Sequence, residues 1–361
     1  MSKKTMSSHE RVMAAIEFRT PDRLPRWDNF HIFGDFPARW RAAKGLPDTA
    51  LPEDHYKIDV AMLMGDEGPF VSRQGVVGRD GEYELFRDSW GRVVRQKPGE
   101  AFFMEAVESP LDDKGRLDSL VFEDPTTNAR YGEFAGTVQR ERAAGRVPFT
   151  KVGGLYCRSQ FMRREDRLLM DMAMDEPFCR ELFNRVGDHL LKVGLEELRR
   201  AGSWETGIWV YDDFANSRAP MFSPAMWEKY LMPVYSRMIA AWRAAGCRHF
   251  FLHSDGNIVP ALDALLAAGF EGFNPLEPRV GINLPALRKK YGRRVVFFGG
   301  MCNTQILPRG DKREIEAFVR PLIELGREGG LVIGMASIGD DISVDAYDYY
   351  ISVLDKYANY L

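Results

Sequence analysis

From about residue 127 to the end of the chain, short continuous apolar runs alternate with longer stretches whose apolar positions fall three and four apart. Runs of the first kind predict buried strands, and stretches of the second kind predict amphipathic helices. The strands are expected at 149–154, 207–213, 250–252, 272–275, 295–300 and 331–334. The helices are expected at about 127–145, 163–174, 177–201, 223–245, 258–268, 284–291, 311–328 and 344–358, with Asn257 capping the helix that starts at 258. Such alternation is satisfied by a parallel sheet covered with helices. Upstream, a helix over 8–18 capped by Ser8 runs into the break Thr20-Pro21-Asp22, then an extended stretch at 24–27, and a further apolar run lies near 60–64. Those two bring the strands to about eight, which predicts an α/β fold of the (β/α)8 TIM-barrel type with an N-terminal extension. Residues 69–107 have another texture: β-prone runs at 71–77, 83–86, 91–95 and 102–107, split by glycine-rich turns. They predict an antiparallel β-meander inserted into a single barrel domain spanning 1–361.

Composition narrows the function classes. A net charge of -3 gives no general attraction to nucleic acid or anionic membrane. No apolar run is long enough to span a bilayer, and the first residues lack the apolar centre of a signal peptide, so a cytoplasmic location is expected. The cysteines Cys157, Cys179, Cys247 and Cys302 form no CxxC pair, which suits a reducing compartment. Neither a GxxxxGK[ST] loop nor a useful GxGxxG is present.

In a barrel the residues that follow the strands share one mouth. Here they are Trp27 and Asp28; Tyr156 and Arg158; Tyr211, Asp212 and Asp213; His253 and Asp255; Asn274 and Glu277; Cys302 and Asn303; and Ser337, Asp340 and Asp341. Three readings of His253-x-Asp255 stand side by side. As metal ligands the pair suits zinc, with Glu277 or Cys302 as a third donor and one position left open. As an acid–base pair, Asp255 or Asp213 holds the tautomer of His253 while the imidazole moves a proton. As structure, the two tie strand ends together. Asp212 and Asp213 are adjacent on a strand and point to opposite faces, so one of them enters the mouth. Asp66, after the run near 60–64, is either a pocket acid or a turn residue.

Several stretches resemble the uroporphyrinogen decarboxylase superfamily. They are Arg11-Val12-Met13-Ala14-Ala15-Ile16 with Pro21-Asp22-Arg23-Leu24-Pro25, Asp212-Asp213, Ser223-Pro224-Ala225-Met226-Trp227-Glu228-Lys229-Tyr230, His253-Ser254-Asp255-Gly256, Asn274-Pro275 and Phe298-Gly299-Gly300-Met301. The likeness runs from about residue 8 to 358 and implies a (β/α)8 barrel engaged either in uroporphyrinogen decarboxylation or in corrinoid-dependent methyl transfer. Decarboxylases carry an Arg-Gln-Ala-Gly-Arg stretch after the first strand; this chain has Trp27-Asp28-Asn29-Phe30-His31-Ile32-Phe33-Gly34-Asp35 there, Phe161 in place of their tyrosine, and Met335-Ala336-Ser337 in place of their late Gly-His-Gly. Their key aspartate corresponds to Asp66. The zinc-thiol methyltransferases have His-x-Cys and a late cysteine, where this chain has His253-x-Asp255 and Ala336. What remains is similar to the branch that demethylates methoxylated compounds.

That resemblance implies methyl transfer from a small methylated substrate, an aromatic methyl ether, to the cobalt of a corrinoid (cobalamin) held by a separate corrinoid protein, with zinc as the expected metal. Asp213, His253, Asp255 and Asp66 are then the expected catalytic residues. Trp27, Tyr156, Tyr211 and Asn274 are expected to contact substrate, and His253, Asp255, Glu277 and Cys302 to offer metal ligands. A homodimer is the expected assembly. Two alternatives accompany this reading: a decarboxylase-type lyase acting on a tetrapyrrole or other acidic substrate, and a non-catalytic corrinoid or tetrapyrrole carrier.

Overall fold

The pattern of buried alternate residues closes most of the way round. A computed structural model of the chain describes residues 5–31, 34–97 and 104–360; Ile32, Phe33 and the start of the last predicted meander strand, Phe102 and Phe103, lie outside them. Eight parallel strands form one sheet: β1 (Arg26–Asp28), β2 (Val60–Leu63), and, after four strands of a second sheet, β7 (Val147–Gly153), β8 (Ile208–Tyr211), β9 (Phe250–His253), β10 (Gly272–Asn274), β11 (Val296–Gly300) and β12 (Leu331–Met335). Their order is β1-β12-β11-β10-β9-β8-β7-β2, with every neighbouring pair parallel, so the sheet is a (β/α)8 barrel with a seam between β1 and β2. At the foot of the seam the Asp59 amide donates to the Arg26 carbonyl at 2.9 Å. The second sheet is the expected meander, β3 (Gly75–Asp80), β4 (Tyr83–Arg87), β5 (Val93–Gln96) and β6 (Met104–Glu108), paired antiparallel in chain order.

The helix Ser8–Ile16 packs Val12, Met13, Ala15 and Ile16 against Val60, Val147, Val296 and Val332, the lowest inward residues of four strands. It therefore plugs the amino-terminal end of the barrel and leaves the carboxyl ends of the strands as the open mouth. Ser7, one residue before the expected cap, accepts from the Glu10 amide and completes a capping box with the Glu10 side chain.

Three departures from the expected elements have local causes. Within 28–66, helices form at Phe36–Lys44 and Pro52–His55. Pro37 and Pro52 sit in first turns, where a missing N–H breaks no bond, and Gly45 ends the first of these helices at φ 63°. The helix expected over 223–245 is broken by a π turn at Trp227–Leu231 before it resumes as Met232–Ala244. Pro233 has no N–H for the Lys229 carbonyl, which accepts instead from Arg180 at 3.3 Å. A helix at Leu155–Arg163, absent from the sequence-based expectation, starts as soon as β7 ends.

Candidate active site

Alternation along the strands stacks the barrel interior in layers. Above the valines, Phe149, Trp209, Phe251 and Phe298 meet mostly edge to face, with Trp209 and Phe298 centroids 4.6 Å apart and Phe251 and Phe298 4.9 Å apart. Two residues further along β7, β8 and β9 the inward positions are Lys151, Tyr211 and His253, because the side-chain period of a strand is two. These three, with Trp27 from β1, Met62 from β2 and Asp255 beyond β9, line a cavity of about 400 Å³ at the mouth.

The cavity centres on His253, whose proton positions follow from its neighbours. Asn274 on β10 donates its amide to the Phe298 carbonyl at 3.2 Å, so its carbonyl oxygen faces the imidazole, and His253 Nδ1 lies 2.5 Å away. A carbonyl oxygen only accepts, so Nδ1 carries the proton and Nε2 turns a free lone pair to the cavity. Nε2 lies 3.7 Å from Asp213 Oδ1 and 3.7 Å from Asp255 Oδ1. One donor atom from each of the three residues falls within 4.8 Å of the others. Burial pushes the His253 pKa down and outweighs the nearby Asp213 charge, which keeps the imidazole neutral. Asp255 goes the other way: burial, then the charges of Asp213 and Glu277, raise its carboxyl to about 7. Asp213 Oδ1 accepts from the Asp255 amide at 2.8 Å, whereas Asp255 Oδ1 is buried with no hydrogen-bond partner. The Tyr211 ring stacks on His253 with centroids 4.5 Å apart.

As expected for adjacent strand residues, Asp212 faces away from Asp213. It accepts from the Tyr156 and Cys157 amides at 3.2 and 2.8 Å and from the Tyr235 hydroxyl at 2.5 Å.

The other expected site residues are not gathered at the cavity. Tyr156 is fully buried on the helix Leu155–Arg163, its hydroxyl donating to Glu165 at 3.0 Å. Asn274 is fully buried beneath His253 and supports it without facing the cavity. Asp66 closes a turn, accepting from the Gly68 amide at 3.0 Å and from Gln74 at 2.6 Å. Glu277 accepts from the Gly256 amide at 2.7 Å and pairs with Arg279 at 2.7 Å, so its oxygens are taken. Cys302 is buried with its sulfur 3.8 Å from the Thr304 hydroxyl. The donor group found among the described residues is thus Asp213, His253 and Asp255; the expected set with Glu277 and Cys302 does not form. Sequence reasoning missed Lys151, Met62, Trp209 and His31, all of which line the cavity. For Lys151 the signal was present, since it continues the inward register of Val147 and Phe149.

The family described as uroporphyrinogen decarboxylase (URO-D) matches residues 148–340, more than half of the chain. The chain belongs to this family. No curated protein matches it. Among solved structures, a methyltransferase from Methanosarcina mazei superposes with a TM-score of 0.68 at 14% identity, covering 97% of this chain and 99% of that one. At that identity the likeness shows the shared fold. Within the uroporphyrinogen decarboxylase family barrel, no arginine of the described residues lines the mouth cavity, and Lys151 is the lysine that does. No helix of the described residues is long and apolar enough to cross a membrane.

Proposed function

We propose that this protein moves a methyl group from a small methylated substrate, an aromatic methyl ether, to a corrinoid carried by a separate protein. The observation that carries the reading is the convergence of Asp213 with His253 and Asp255, the last two lining a cavity otherwise framed by Trp27, Trp209 and Tyr211. The structural neighbour from Methanosarcina mazei, a methyltransferase, supports it.

One imidazole nitrogen and two carboxylates suit zinc and leave a position open for a ligand. The fit is supported by the unpartnered Asp255 oxygen and by the charge of Asp213 set against it. The Asn274 hydrogen bond to Nδ1 is the outer support a metal-binding histidine needs. When bound, such an ion would polarise the departing oxygen.

The chain's own residues account for the rest. An alkoxide or phenoxide leaves poorly unless its charge is met as the C–O bond breaks. In the metal-free protein a protonated Asp255, titrating at about 7, is an acid of suitable strength for that oxygen. The methyl carbon then passes, without its bonding pair, to a nucleophile facing it from the open side. A cavity of about 400 Å³ holds one substituted ring and excludes a corrinoid, so the acceptor approaches from the mouth. Uroporphyrinogen decarboxylation is less well served, because a lone lysine cannot pair with many carboxylates.

The test is incubation with reduced cobalamin and a panel of methyl ethers and methylamines, followed by methylcobalamin absorbance and metal analysis. Methyl transfer from an ether, with zinc held by the wild type and lost in His253→Ala, is expected. Tight corrinoid binding that yields no methylcobalamin and is unmoved by His253→Ala would overturn the reading in favour of a carrier.

A further inference from the structure

Lys151 is left unused by the scheme above. Its ammonium lies 4.4 Å from the centroid of the Tyr211 ring and borders the cavity. Among the described residues no carboxylate lies within 4 Å of it, and burial lowers its pKa. Glu67 and Asp213 are the acids that act on it from further away, and both are engaged. Glu67 pairs with Arg158 and accepts from the Gly153 amide at 2.5 Å, while Asp213 accepts from the Asp255 amide. An ammonium drawn from water without a counter-charge is unfavourable, and a ligand that brings the anion relieves the cost.

Position adds a length to this charge. Lys151, Tyr211 and His253 stand on three successive strands, so about two strand spacings, roughly 9 to 10 Å, separate the backbones of the first and last. Trp27, Trp209 and Tyr211 line the space between with aromatic faces.

We propose that Lys151 is an anion-selecting residue, and that the molecule this cavity takes is an aromatic carboxylate whose carboxylate pairs with Lys151 while its ether oxygen faces His253 and Asp255. The proposal rests on the methyl-transfer reading only for the ether; the carboxylate subsite stands on the lysine and the aromatic walls.

Binding can be followed by quenching of Trp27 and Trp209 fluorescence, or by calorimetry, with benzoate, 4-methoxybenzoate and the uncharged benzamide as probes. Benzoate and 4-methoxybenzoate should bind the wild type roughly tenfold or more tighter than benzamide, as expected for a charged hydrogen bond in a sheltered site. In Lys151→Met the anion preference should vanish, and in Lys151→Arg it should persist. Equal affinity of the wild type for benzoate and benzamide would overturn the proposal, as would an undiminished preference in a folded Lys151→Met. The wild-type comparison decides the matter even if that variant fails to fold. Because benzoate carries no methyl group, its selective binding supports the subsite whether or not methyl transfer occurs. Transfer from anisole as fast as from 4-methoxybenzoate would sink the subsite and leave the transfer reading standing.

Discussion

Two acids and an imidazole at the barrel mouth are ordered by where their protons can rest. His253 is held neutral by burial and pinned at Nδ1 by Asn274, so its only variable contact is Nε2. Asp255 is the member of the group whose charge changes near neutrality. Its carboxyl titrates at about 7 in the fold against an ordinary value of 3.8. Between those values the native state holds a proton that the unfolded chain has released, so this residue costs the metal-free protein stability as pH rises from about 4 to about 7. Asp255→Asn, which cannot ionise, should therefore gain stability over the wild type across that window, with a constant difference above it. Urea midpoints of both metal-free proteins against pH would check this, and parallel curves would refute it. Added zinc should reverse the order at neutral pH by stabilising only the intact ligand set. At this scale the sequence was a partial guide. His253 and Asp213 could be read because strand alternation dictates which way a residue points. Glu277 and Cys302 lie in loops, where a backbone amide or an arginine two residues away decides the side-chain direction instead. Lys151 was obscured by its charge: a lysine in an apolar strand reads as an interruption, although its register with Phe149 marks it as inward.

Elements meet at the mouth through buried polar links. Asp212, at the end of β8, accepts two amides from the first turn of the helix Leu155–Arg163 and the hydroxyl of Tyr235 from the helix Met232–Ala244. One carboxylate thus joins a strand and two helices, and it faces helix N–H groups that have no partner within their own helix. Asp212→Ala would strand two buried amides and a hydroxyl, and should lower unfolding free energy by about 3 kcal/mol or more. Asp212→Asn, which keeps one acceptor oxygen, should lose less. Chemical denaturation measures both, and a loss below about 1 kcal/mol for the alanine variant would refute the link. The fold was more legible than the site for a related reason. Long apolar periodicities over 177–201, 311–328 and 344–358 are set by the stripe each helix buries, and they appear within a few residues of the expected ends. The helix Leu155–Arg163 was not legible, because its start depends on Asp212, a residue more than fifty positions later.

For the whole molecule, the weak line is the seam where the barrel fails to close by a strand ladder. Its foot is fastened by charge. Asp59, fully buried just before β2, accepts from Arg11 at 2.7 Å, from Arg23 at 2.8 and 2.9 Å, and from the Arg26 amide at 2.9 Å. Arg11 belongs to the plugging helix and also bonds Asp22 at 2.6 Å, so one network joins the N-terminal extension, β1 and β2. Several donors on one buried carboxylate meet the condition under which a buried ionic group holds its place: attraction and hydrogen bonds together offset desolvation. Removing the acid alone leaves arginines facing each other in the interior. Asp59→Ala should therefore cost about 3 to 5 kcal/mol, the range for breaking a buried pair from one side. An exposed helix pair gives the control: Glu324→Ala, which frees Arg327 at the surface, should cost no more than about 0.5 kcal/mol. If the two losses are equal, the seam is held by apolar packing of the Ser8–Ile16 plug and not by Asp59. If the Asp59 loss dominates, hydrogen exchange should also rise first in β1 and β2, since the other seven strand junctions of the barrel keep their ladders.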